Sequence, residues 1–145
     1  MIDVPAILVS WLNATPTVTA QVADRISVIL NPADGFPAVV IGLDNVHPTS
    51  TASRSVSPVE TGIVTLYCYA GRRGVELDSL PDLTTARALA AVVEAAMSEL
   101  DAAPFVTGNV TLKRAAVKTA TPGIDTGGFA RYTINADMTF WVTAQ

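Results

Sequence analysis

The chain has 145 residues, half of them apolar and only 15% charged, with thirteen acids against nine bases and a net charge of −4. A length of this order builds one domain around a single core, and so apolar a composition excludes disorder over most of the chain. With no Lys/Arg run longer than a pair such as Arg72-Arg73, the sequence disfavours a basic patch that grips a nucleic-acid backbone.

Val4, Ile7, Leu8, Trp11 and Leu12 recur at three- and four-residue spacing and predict a first helix with one apolar stripe. Asp3 is placed to cap it, Pro5 is tolerated in its first turn, and it should end before Pro16. Asp3, Trp11 and Asn13 also interrupt any signal or membrane segment, so a soluble product made in the cytoplasm is expected. Between Thr17 and Asp24 the pattern is ambiguous and allows a short helical turn. Ile26 to Leu30 reads as a brief strand ending at Asn31-Pro32, Asp34-Gly35 as a turn, and Phe36 to Gly42 as a β-rich run.

Asp44 to Pro58 carries no periodicity and is rich in Ser, Thr and Pro, which predicts a flexible functional loop. Gly62 to Ala70 is apolar on both faces and predicts a central strand containing Cys68, a small buried hydrophobe. Gly71-Arg72-Arg73-Gly74 then turns the chain out of the sheet. The second and longest helix takes Asp82 or Thr84 as its cap and aligns Leu83, Ala86, Leu89, Ala90, Val93, Met97 and Leu100 on one face, until Pro104 stops it. Phe105 to Thr119 and Phe129 to Val142 read as two strands. In the second, Ile134, Ala136, Met138, Phe140 and Val142 alternate with Thr133, Asn135, Asp137 and Thr139, the period of an antiparallel strand with one wet face. Trp141 breaks the pattern by placing a large aromatic on the polar side. The intervening Ala120 to Gly128, which includes Ile124 and Asp125, predicts a mobile protruding loop.

Few residues carry chemistry. His47 is the sole histidine and has no neighbouring Cys or carboxylates at metal-ligand spacing. No Ser stands in a Gly-x-Ser-x-Gly turn, and Gly123 to Gly128 lacks the Lys-Ser/Thr ending of a phosphate loop. The acids Asp78, Asp82, Glu94, Glu99 and Asp101 do not gather on one inward face of the second helix. No catalytic residue, metal site or cofactor is therefore assigned. Low charge and a stranded aromatic point to a surface covered by assembly, with Arg72, Arg73, Trp141, Ile124 and Asp125 as candidate interface residues.

The order of features resembles a family. A helix at the start, Val22-Ala23-Asp24-Arg25-Ile26, the strand Phe36-Pro37-Ala38-Val39-Val40-Ile41-Gly42, a polar loop, the strand Thr65-Leu66-Tyr67-Cys68-Tyr69, the helix around Thr85-Ala86-Arg87-Ala88-Leu89 and a closing β pair are similar to the tail terminator, or tail completion, proteins of long-tailed bacteriophages. The resemblance spans nearly the whole chain and implies an α+β fold: an antiparallel-rich or mixed sheet of about four or five strands, with two main helices on one face. It also implies a virion protein assembled in the host cytoplasm, a ring, usually hexameric, that caps the tail tube, ends its polymerisation and joins the head. The implied partners are further copies of the chain, the tail tube protein and a head-tail connector. DNA passes through the lumen without specific binding, and no membrane is involved. A second reading from the residues alone is a dimeric ligand-binding or regulatory α/β domain, with its pocket between the Gly62 to Ala70 strand and the second helix. A third is an enzyme using His47 or Asp24, which lacks accompanying partner residues.

Overall fold

The structure is a computed structural model that describes residues 3–48, 59–71 and 81–142, with the side chains of residues 43–48 and 60 outside the description. Three α-helices, α1 (Val4–Asn13), α2 (Pro16–Val22) and α3 (Leu83–Ser98), pack on a sheet of six strands. These are β1 (Ile26–Ser27), β2 (Ala38–Pro48), β3 (Val59–Gly71), β4 (Phe105–Thr107), β5 (Val110–Ile124) and β6 (Ala130–Val142), in the order β1-β2-β3-β6-β5-β4. Only the β1–β2 pair is parallel, so the sheet is mixed but antiparallel in the main.

The helix starts follow their caps. Asp3 Oδ1 accepts from the Ala6 N–H at 3.2 Å, and Pro5 sits in the first turn, where its missing N–H costs nothing. Pro16 forces a break after Ala14 and opens α2, which gives the ambiguous Thr17 to Asp24 segment a definite helix that stops at Ala23 in the left-handed region, φ +55°. Asp82 caps α3 twice, accepting from the Thr85 N–H at 3.1 Å and from its hydroxyl at 2.6 Å. Leu83, expected in the apolar stripe, lies in the first turn of α3 and is exposed.

One face of the sheet is covered by all three helices. Val39, Ile41, Val64, Leu66, Cys68, Leu112, Ile134, Ala136, Met138 and Phe140 meet Leu8, Trp11, Leu12, Val18, Val22, Leu89, Val93 and Met97 in one continuous core. β6 is bonded on both sides, to β3 from Ala130 through Trp141 and to β5 from Ala130 through Val142, so its alternation decides which face of both neighbours is buried.

Three expectations change. The sheet has six strands, above the four or five expected, because Phe105 to Thr119 is two strands. Thr107 and Val110 pair across a two-residue turn, Gly108-Asn109, in which Gly108 has φ +58°. Of the loop expected over Asp44 to Pro58, residues 44–48 are strand: β2 continues to Pro48, with an irregularity after Gly42 that shifts its register against β3, and residues 49–58 lie outside the described residues. The loop expected over Ala120 to Gly128 is strand as far as Ile124. Asp125 closes the turn, its Oδ1 accepting from the N–H groups of Gly127 at 2.9 Å and Phe129 at 3.0 Å, and this compact turn replaces the long protrusion.

The β3–β6 contact carries the core, and Leu66 stands fully buried at its centre opposite Ile134. Leu66→Ala is expected to cost about 2–5 kcal/mol, read as a lowered midpoint with an unchanged slope in urea unfolding.

Candidate assembly surface

The face of the sheet opposite the core mixes polar and apolar side chains, with Ala38, Val40 and Tyr69 buried and Ile63 exposed. Thr65 donates its hydroxyl to Asn135 Oδ1 at 2.6 Å, and Asn135 Nδ2 donates to the Thr119 hydroxyl at 3.0 Å, a ladder across β3, β6 and β5. Towards the Asp125 end, the Arg131 guanidinium lies 4.9 Å from the centre of the Tyr67 ring and donates to the Tyr69 hydroxyl at 3.3 Å. The Tyr67 ring in turn covers Gly42, where an added Cβ would stand 3.1 Å from it. Side chains from β3, β6 and β5 thus bond to or stack on one another across this face.

Trp141 lies at the other end of β6, 47% exposed, with Lys113 Nζ 4.5 Å from its ring centre. The stacked ammonium shields part of the aromatic surface that the alternation leaves on the wet side. Ile124 is 54% exposed and pairs with Ala130 at the far end of the hairpin, beside Asp125. The expected interface residues therefore do not converge: Trp141 marks one end of the β5–β6 pair, and Ile124 with Asp125 marks the other. Asp125 is occupied in its own turn. Arg72 and Arg73 lie outside the described residues.

Further exposed apolar residues escaped the sequence reading. Val117 on β5 is 41% exposed, and Val28 and Ile29, just after β1, are exposed as well, Ile29 by 73%. A signal was present for the last pair, since Val28-Ile29 follows a strand and precedes Asn31-Pro32 with no helical partner in phase.

Chemistry is sparse at every site considered for it. His47 stands in β2 opposite Ile63, so it is a strand residue and not a loop residue. Asp24 is exposed, beside Arg25 and Asp34 in a depression of about 260 Å3. Among the described residues no three His, Cys, Asp or Glu side chains are placed to hold a metal ion. The space between β3 and α3, where a ligand pocket was considered, is filled by Leu66, Cys68, Leu89, Ala90 and Val93. Burial, with the Glu94 carboxylate nearby, pushes the Cys68 thiol up to about 12.

Among the described residues, the helix-backed sheet offers strand edges and exposed apolar side chains as surface for contact with other chains. The model of the family "Tail completion protein gp17" matches residues 6–135, and the chain belongs to that family: it is a structural component of the virion tail. A comparison with curated proteins finds no match. Among solved structures, a chain described as "Virion of native gene transfer agent (GTA) particle" shares the fold, with a TM-score of 0.66 at 18% identity, over 94% of this chain and 93% of that one. No described helix is long and apolar enough to cross a membrane.

Cys68 gives a direct test of the packing. The native thiol is expected to resist iodoacetamide near pH 8 and to react once urea unfolds the chain. Because the native thiol keeps its proton to about 12 while the unfolded one releases it near 9, stability should fall as pH rises across that interval. Cys68→Ala is expected to lack this alkaline loss in urea titrations compared near pH 8 and about pH 10.

Proposed function

We propose that this chain is the tail terminator: copies close into a ring, usually hexameric in such proteins, that caps the tail tube, ends its polymerisation and presents the surface to which the filled head joins. The observation that carries the reading is the open outer edge of β5. β4 pairs only with Val110 to Leu112, so Arg114 to Ile124 pairs with β6 on one side and with no described strand on the other. At the opposite end of the sheet, β1 covers only Val39 and Val40 of β2. Two different exposed ends on one plate favour head-to-tail contacts between copies, and such contacts close into rings when the rotation permits.

Charge fits the same reading. A ring through which DNA slides benefits from few lumen cations, since each phosphate contact would hold the duplex, and the chain carries a net −4. The tail tube protein and a head-tail connector are the partners on the two faces of the ring, with DNA passing between them unbound. Trp141, Ile124 and Asp125, which mark the two ends of the β5–β6 pair, and Arg72 and Arg73 are the candidate interface residues for contacts with further copies or with those partners.

Negative-stain microscopy of the concentrated protein or of purified tails is expected to show annuli at one tail end. Deleting the gene should give filled heads without tails and tubes of irregular length. Normal particles without the protein would refute the assignment.

A further inference from the structure

We infer that the ring contact joins the β5 edge of one copy to the rim formed by α1 and the segment after β1 in the next. This deepens the ring reading and rests on it. The first surface is basic and apolar around Val117: Lys113, Arg114 and Lys118 lie on β5, which contains no acid, near the exposed Val117, and the exposed Ile124 ends the strand next to Asp125. Lys113 and Lys118 occupy the two positions where β5 skips a partner on β6, so each is an extra residue in the strand. Arg114 and Lys118 have intramolecular carboxylates, Asp101 at 4.0 Å and Asp137 at 3.4 Å, but these side chains are all about half exposed or more. Pairs so open to solvent hold their charges weakly and leave them available to a neighbour.

The second surface is the complement. Asp3, Val9 and Val28 line one shallow depression, and Asp24 and Asp34 line the next, with Ile29 exposed on the same segment. Three carboxylates stand there against one base, Arg25, whose Nε is committed to the Pro37 carbonyl at 2.8 Å. Apolar residues framed by bases on one end of the sheet thus face apolar residues framed by acids on the other, which selects the unlike surface of a second copy over the like one.

Height along the strands agrees. Ile26 and Ser27 are in register with Val39 and Val40, these with Cys68 and Tyr67, those with Tyr132 and Thr133, and these last with Pro122 and Thr121 of β5. The register row that starts at the rim therefore meets β5 between Val117 and Ile124. Under the ring reading, one rotation repeats this contact from copy to copy and closes it.

The test is a cross-link in the full chain. Ile29→Cys and Val117→Cys are combined and treated with a bis-maleimide, both in concentrated protein and in purified particles. Cys68 supplies little background because its thiol is buried and protonated. The double variant is expected to give a ladder of covalent multimers of the 15.1 kDa chain, while each single variant gives monomer. Ile29→Cys with Ile124→Cys provides a second pair should the first fold poorly by circular dichroism. Dimers from a single variant would reveal a like-to-like contact and overturn the inference. Annuli whose double variants yield no multimers would also overturn it while leaving the ring standing, and absence of both annuli and multimers from protein and particles would remove the two together.

Discussion

Everything in the fold depends on β6. It is the one strand paired along essentially its whole length on both sides, and its Ile134, Ala136, Met138 and Phe140 are all buried. Because side chains alternate with period two, that row commits Val64 and Leu66 on β3 and Leu112 on β5 to the same face. The helices then have a single apolar surface to cover. A slip of one residue in β6 would turn Asn135 and Asp137 into the core, an error costing far more than any alternative pairing returns.

The same alternation explains what the amino-acid sequence made legible. The apolar stripes of α1 and α3 and the pattern of β6 are regular, and each appears where its period puts it. β5 is not regular. Leu112 faces the core opposite Phe140, but the extra residue Lys113 reverses the parity before Ala115 meets Met138, and Lys118 reverses it again before Ala120 meets Ile134. Two reversals in one strand erase the period-two signal, which is why its last five residues resembled a loop and its start merged with β4. Gly108-Asn109 carried the turn signal and was outweighed by the apolar residues around it.

The assembly surface was half legible for a related reason. Trp141 stands out because it violates a pattern, and violations of a strong pattern are readable. Ile29 and Val117 violate nothing, since the first follows a two-residue strand and the second lies between two bulges. Their exposure is a property of the sheet order, which places β1 and β5 near opposite ends, and strand order is a long-range outcome that local periodicity does not contain.

The edge of β5 also carries features that guard it against indiscriminate pairing. An unpaired strand of this length invites indiscriminate pairing, and natural sheets counter that with bulges, lysines and prolines. β5 has all three: the extra residues Lys113 and Lys118, and Pro122, which has no N–H to offer. These features break the even row of backbone donors that another strand would need as a template, yet they leave Val117, next to Lys118, and Ile124 exposed. Recognition at this edge must then come from side chains, where shape and charge discriminate between partners, and not from backbone hydrogen bonds, which accept any extended chain. An edge blunted in this way can remain unpaired until a surface that matches its side chains arrives.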